Sequence, residues 1–122
     1  MSLRERKVIN YIMKGSVQYN QVGRMLDTNL LIEAMLPDYK NLMRTIKGYF
    51  LRYKSPPTYE LMEESLLNNL DDIELIGLIN TVNCEEGEVG FHVDMIKKRY
   101  QSFLAKTLAE SVAEDQDEVD LE

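Results

Sequence analysis

The stretch PDYKNLMRTIKGYFLRYKSPPTYELMEESLLNN, residues 37–69, decides the fold class. Its first half carries Tyr39, Leu42, Met43, Ile46, Tyr49, Phe50 and Tyr53 at steps of three, one, three, three, one and three. That spacing is one face of an α-helix, and Lys40, Arg44, Lys47 and Lys54 keep largely to the other side. Pro37 suits a first helical turn, where its missing N–H is no loss. Ser55-Pro56-Pro57 ends the helix near Lys54, because proline cannot continue it and disfavours helical geometry one residue earlier. Thr58 then caps a second helix reaching about Asn68, with Leu61, Met62, Ser65 and Leu66 inward, and Asn68-Asn69 breaks it.

Working outward, Val8, Ile9, Ile12 and Met13 give a helix from Arg4 to Lys14. Gly15 ends that helix and Ser16 starts another over 16–25, with Val17, Tyr19, Val22 and Met25 on its apolar side. Leu26 to Asn29 reads as a break. On the C-terminal side, Asp71-Asp72 open a helix over 71–83, where acids favour the positive end of the helix dipole. Ile73, Leu75, Ile76, Leu78, Ile79 and Val82 make it apolar on more than one face. Cys84 to Gly90, with two glycines and three glutamates, reads as a loop. A last helix runs from about Phe91 to Glu114, and its Val93, Ile96, Tyr100, Phe103, Leu104, Thr107 and Leu108 approximate a seam that packs on the 71–83 helix or on a second chain. No segment alternates as a strand does. The expectation is an all-α chain of about six helices: a compact orthogonal globular bundle over 4–70, an antiparallel helical hairpin over 71–113, and an acidic linker or tail over 114–122.

Composition narrows the function classes. The chain has 122 residues, 44% of them hydrophobic, with 14 Lys and Arg against 21 Asp and Glu. The net charge of −7 is localised: Glu110, Glu114, Asp115, Asp117, Glu118, Asp120 and Glu122 lie in a stretch without Lys or Arg, and residues 1–109 are formally neutral. A neutral body disfavours strong nonspecific DNA binding, which depends on neutralising phosphates. One cysteine excludes an intramolecular disulfide. No run approaches the roughly 18 apolar residues of a membrane span, and no signal peptide is visible, so a cytoplasmic domain with no membrane partner is expected. Met1-Ser2-Leu3 and Leu121-Glu122 read as vector-derived additions.

Catalytic signatures are missing. There is no Gly-Lys dipeptide and so no G-x-x-x-x-G-K-[ST] phosphate loop, no G-x-G-x-x-G and no G-x-S-x-G. Cys84 and His92 lack the further soft ligands that zinc requires. No carboxylate sits in an apolar stretch that would raise its pKa for acid–base work. No catalytic residue, metal or cofactor is expected in this chain. Two basic patches remain, Lys97-Lys98-Arg99 with Lys106, and Lys40, Arg44 and Lys47, both candidates for nucleic-acid contact.

One pattern goes further. FLRYKSPPTYELMEESLLNN resembles the segment of DnaB-family replicative helicases in which an aromatic helix enters a Y-x-x-x-P-T turn, here Tyr53, Pro57 and Thr58, before an amphipathic helix with Leu61 and Leu66. VINYIMKGSVQYNQV resembles that family's opening helices and HVDMIKKRYQSFLAKTLAESV its closing helix. The match in order and spacing covers roughly residues 5–113 and is nearest in style to bacteriophage members. Two stretches depart from bacterial members: Val8-Ile9-Asn10-Tyr11-Ile12, where they carry E-x-x-x-L-G, and Asn29-Leu30-Leu31-Ile32, where they carry an aromatic pair. The bacterial primase contacts are therefore not carried over. The resemblance implies a non-catalytic N-terminal collar domain that joins subunits of a hexameric ring, pairs its hairpins between neighbours, and docks a primase or helicase loader. ATP and Mg would belong to a separate C-terminal motor domain. The expected subunit or partner interface is Ile73, Ile76, Ile96, Tyr100, Phe103 and Leu104, because the 71–83 helix is more apolar than one partner helix can cover. Self-association into a dimer or hexamer is expected, with weak or no DNA contact through Lys97, Lys98 and Arg99. The alternatives are a small helical DNA-binding module and a stand-alone helical adaptor.

Overall fold

The first helix sits at the centre of a bundle whose other members all reach it or its neighbours. In the computed structural model, which describes the backbone of residues 3–121 and the side chains of residues 3–112, the order is α1 (Leu3–Ile12), α2 (Ser16–Met25), α3 (Thr28–Ala34), α4 (Pro37–Tyr53), α5 (Tyr59–Ser65), α6 (Leu70–Thr81) and α7 (Glu86–Leu121). The described residues are all helix and connection, with no strand.

Helix α4 follows the sequence closely. Tyr39, Leu42, Met43 and Ile46 are buried. Lys54 ends it in the left-handed region at φ 62, its N–H donating to the Phe50 carbonyl at 2.7 Å. Thr58 caps α5, its hydroxyl accepting from the Leu61 N–H at 3.2 Å. Asn69 caps α6 by accepting from the Asp72 N–H at 3.2 Å. The Asp72 carboxylate is buried and accepts from Asn41 at 2.8 Å and Asn69 at 3.0 Å, which ties the start of α6 to α4.

Three features differ from the sequence reading. The break at Leu26–Asn29 is shorter than expected, because Asp27 caps α3, accepting from the N–H groups of Asn29 and Leu30 at 3.1 and 3.4 Å. This short helix raises the number of helices to seven among the described residues and buries Leu31, Ile32 and Ala34. The stretch Cys84–Gly90 is a loop only at its start, since α7 already begins at Glu86. The expected antiparallel hairpin is also not the packing found. Helix α6 lies against α1, α5 and α4, whereas α7 lies against α1, α3 and α2. Ile76 and Ile79 of α6 and Val89, Val93 and Ile96 of α7 belong to the same core as α1 and α4.

Polar groups on α1 fix these packings. Glu5 is fully buried although its sequence neighbours Arg4, Arg6 and Lys7 are charged. It accepts from Arg99 of α7 through both carboxylate oxygens and from the Leu36 N–H at 3.2 Å. Arg99 also donates to the Ala34 carbonyl at 3.0 Å. One ion pair thus joins α1, α7 and the α3–α4 junction. A turn later, the Asn10 amide nitrogen lies within hydrogen-bond reach of Ile79 O, Val82 O and Tyr59 Oη at 3.2, 3.0 and 3.1 Å, and its oxygen accepts from the Cys84 N–H at 3.3 Å. Lys14 donates to the Cys84 carbonyl at 2.6 Å. The chain between α6 and α7 is therefore held by α1.

The pair is asymmetric: the Glu5 side chain has no exposure and that of Arg99 has 39%. Removing Arg99 strands a buried charge, a loss of about 3–5 kcal/mol, while removing Glu5 leaves a guanidinium that still reaches water and Ala34 O. Urea denaturation is expected to rank Arg99→Met as clearly less stable than Glu5→Met, and the double variant Glu5→Met/Arg99→Met as more stable than Arg99→Met alone. Equal losses for the two single variants would contradict the asymmetry.

Candidate association surface on the last helix

Helix α7 has two halves. Through Ile96 its inward residues are core, and Val89, Val93 and Ile96 are buried. Arg99 and Tyr100 are the last residues with cover, and from Gln101 to Val112 every residue is exposed. This outer half is not uniformly polar. Phe103, Leu104, Leu108 and Val112 are 61%, 46%, 67% and 47% exposed. Tyr100, Leu104, Leu108 and Val112 follow one another at four-residue steps and form one slowly drifting stripe, with Phe103 on its flank beside Tyr100.

At the foot of this stripe lies a groove of about 520 Å³ between α7 and the α3–α4 junction. Ala34, Met35, Leu36, Pro37, Tyr100 and Phe103 wall it, and Glu33, Lys40 and Arg99 edge it. Tyr100 donates its hydroxyl to Glu33 at 3.1 Å, and this bond to the carboxylate is the main reason its pKa is raised. A second groove, between α4 and α6, is lined by Asp38, Asn41, Asp71, Asp72 and Glu74. Its innermost carboxylate, Asp72, is already engaged by Asn41 and Asn69.

The structure separates the expected site residues. Ile76 and Ile96 are fully buried within the chain, so they belong to its own core and present no interface. Ile73 is half-buried against that core. Tyr100 is half-buried in the groove, and Phe103 and Leu104 are exposed on the stripe. Of the basic trio, Arg99 is paired with Glu5 and donates to the Ala34 carbonyl. Lys98 pairs with Asp94 at 3.2 Å one turn back, and Lys97 is exposed. Leu108 and Val112 extend the stripe beyond the expected residues; the four-residue step from Leu104 through Leu108 to Val112 was the available signal. The walls Met35 and Leu36 had none, because a groove between a turn and a helix leaves no periodic mark.

At the other end of α7, Lys7 of α1 pairs with Glu88 at 2.9 Å, close to His92 and Cys84. Cys84 is buried, and burial with the nearby Glu88 carboxylate pushes its thiol up to about 11, so it stays protonated and a poor nucleophile. Among the described residues no group of three or more His, Cys, Asp or Glu is placed to hold a metal, and no helix is long and apolar enough to cross a membrane.

Comparison with protein-family models, with curated proteins and with solved structures finds no match. The function is therefore read from the chain's own residues.

Burial lowers the pKa of His92 below the ordinary histidine value; Lys7 and Arg4 add to the shift and Glu88 opposes it. The unfolded chain thus takes up this proton first as the pH falls. Stability should be level above pH of about 6.5, decline as the pH falls towards the lower folded value, and level off beneath it. His92 is the chain's one histidine. Denaturation midpoints at pH 7.5 and 5.5 should differ in the native chain and differ less in His92→Gln; an unchanged difference would assign the effect to the carboxylates.

Proposed function

We propose that this chain is a non-catalytic association domain, the N-terminal collar domain of a DnaB-type replicative helicase of the bacteriophage kind. In this reading it joins subunits in a ring and docks a primase or loader. The observation that carries the reading is the outer half of α7. Twelve consecutive exposed residues, 101–112, continue a helix past its own bundle while keeping an apolar stripe. An isolated helical arm gains little from water on all sides, and an uncovered apolar stripe marks a protein contact. Support from sequence comes from Tyr53, Pro57 and Thr58, with the flanking helices in matching order. ATP and Mg would act in a motor domain outside this chain.

The basic trio supports a protein partner over DNA. With Arg99 paired to Glu5 and Lys98 to Asp94, two of the four cations on α7 are engaged within the chain, which leaves Lys97 and Lys106 as a thin footprint for phosphate.

Light scattering tests the association half of this reading. The native chain should associate, and Leu108→Glu, at an exposed position, should raise the dissociation constant at least about a hundredfold with unchanged far-ultraviolet circular dichroism. A native chain that stays monomeric at high concentration would remove the reading. The helicase half is tested in the gene. The coding frame past codon 120 should reach G-x-x-x-x-G-K-[ST], and a stop codon there would leave a free adaptor.

A further inference from the structure

We infer that the groove between α7 and the α3–α4 junction receives a short acidic segment of a different protein, with one large apolar side chain seated in the groove and its acids laid along the cationic face of α4. This rests on the docking half of the reading above and adds the site and the chemistry of the segment that docks.

Helix α4 divides its charge between two sides. Lys40, Arg44 and Lys47 follow one another at steps of four and three, which places them on one line along the helix. Lys40 stands on the rim of the α7 groove. Asp38 and Asn41 lie to another side, where they line the groove shared with α6 together with Asp71, Asp72 and Glu74. The formal neutrality of residues 1–109 is therefore a sum over faces of opposite sign. Among the described residues Lys40 and Arg44 make no ion pair, and Lys47 donates to the neutral side-chain oxygen of Asn29. Against these three cations the rim sets one acid, Glu33, which already accepts from Tyr100. The charge that suits this face is negative.

The interior of the groove decides between anions. Ala34, Met35, Leu36 and Pro37 give it aliphatic walls, and its volume of about 520 Å³ has room for a large side chain. The polar groups that border it are occupied. The Tyr100 hydroxyl is on Glu33, the Ala34 carbonyl accepts from Arg99, and the Leu36 N–H donates to Glu5. A nucleobase would bring a polar edge with few partners to meet it, and an unpaired buried polar group is unfavourable. An aliphatic or aromatic side chain needs no such partner, and it would cover Phe103, which is 61% exposed on the lip. A peptide therefore fits better than a nucleic acid.

Spacing joins the two halves. Lys40 to Lys47 rises about 10 Å along α4, the reach of three extended residues. An apolar anchor in the groove with acids in the few residues beside it meets both features with one short segment.

Selection from a random peptide library against the full chain reads the chemistry of the occupant directly. Enriched peptides should carry a large apolar residue with two or more acids within about four positions of it. By fluorescence anisotropy with an enriched peptide, Arg44→Glu and Phe103→Ser, both at exposed positions, should each raise the dissociation constant by about tenfold, and Arg44→Lys should stay within about threefold of native. Circular dichroism should be unchanged in all three variants. Leu108→Glu, outside the groove, should leave peptide affinity within about twofold of native. Peptide binding that persists in a chain shown by light scattering to be monomeric supports the groove while removing the association reading. No enriched peptide, enrichment of basic peptides, or affinity indifferent to both Arg44→Glu and Phe103→Ser overturns the proposal. Enrichment of uncharged apolar peptides, which would give the groove to an apolar surface, overturns it too. So does displacement of the peptide by an equal concentration of oligo-dT, which would give the α4 face to nucleic acid.

Discussion

A carboxylate with no exposure to water cannot sit unpaired in a protein core, and Glu5 is such a group. Its partners are Arg99 and the Leu36 N–H, and Arg99 is held further by the Ala34 carbonyl. These four residues come from α1, α3, the α3–α4 turn and α7. The consequence is geometric. Helix α7 is fastened to the bundle at Arg99, one residue before its cover runs out. Everything N-terminal of that point is packed, and the described residues C-terminal of Tyr100 stand in solvent. The position of the free arm is therefore set by where the chain places one arginine, and the groove beside Tyr100 exists because the same pair draws the α3–α4 turn against α7.

Helix α1 shows why apolar burial alone does not specify this arrangement. Val8, Ile9 and Ile12 are buried with nearly no exposure and are non-directional, so they would tolerate several placements of α6 and α7. The polar groups remove that freedom. Asn10 reads the carbonyls at the end of α6 and the N–H of Cys84, Lys14 reads the Cys84 carbonyl, and Arg6 donates to the Tyr39 hydroxyl at 3.0 Å. Hydrogen bonds with fixed direction turn a compatible core into one register of helices. This also explains why α6 and α7 are not each other's principal partners: both are anchored to α1 first.

The legible parts of the sequence were those governed by local chemistry. The α4 stripe, the Pro56-Pro57 stop and the Thr58 cap follow from residues within a few positions of each other, and the structure places them where that chemistry requires. The α3 helix was obscured because seven residues hold barely two turns, too few for periodicity to show. Gly87 and Gly90 resembled loop punctuation, yet both sit within α7, where Gly90 has the Met25 methyl 3.9 Å from the place a Cβ would occupy. Glu5 and Arg99 were illegible for another reason. An acid in a first helical turn and an arginine after two lysines both look like solvated charges. Only the contact across 94 residues of chain reveals them as one buried group. The expected site residues divided on the same line: Phe103 and Leu104 are exposed, whereas Ile76 and Ile96, chosen on the same helical spacing, are core. Periodicity reports that a face is apolar, and only the fold reports what covers it.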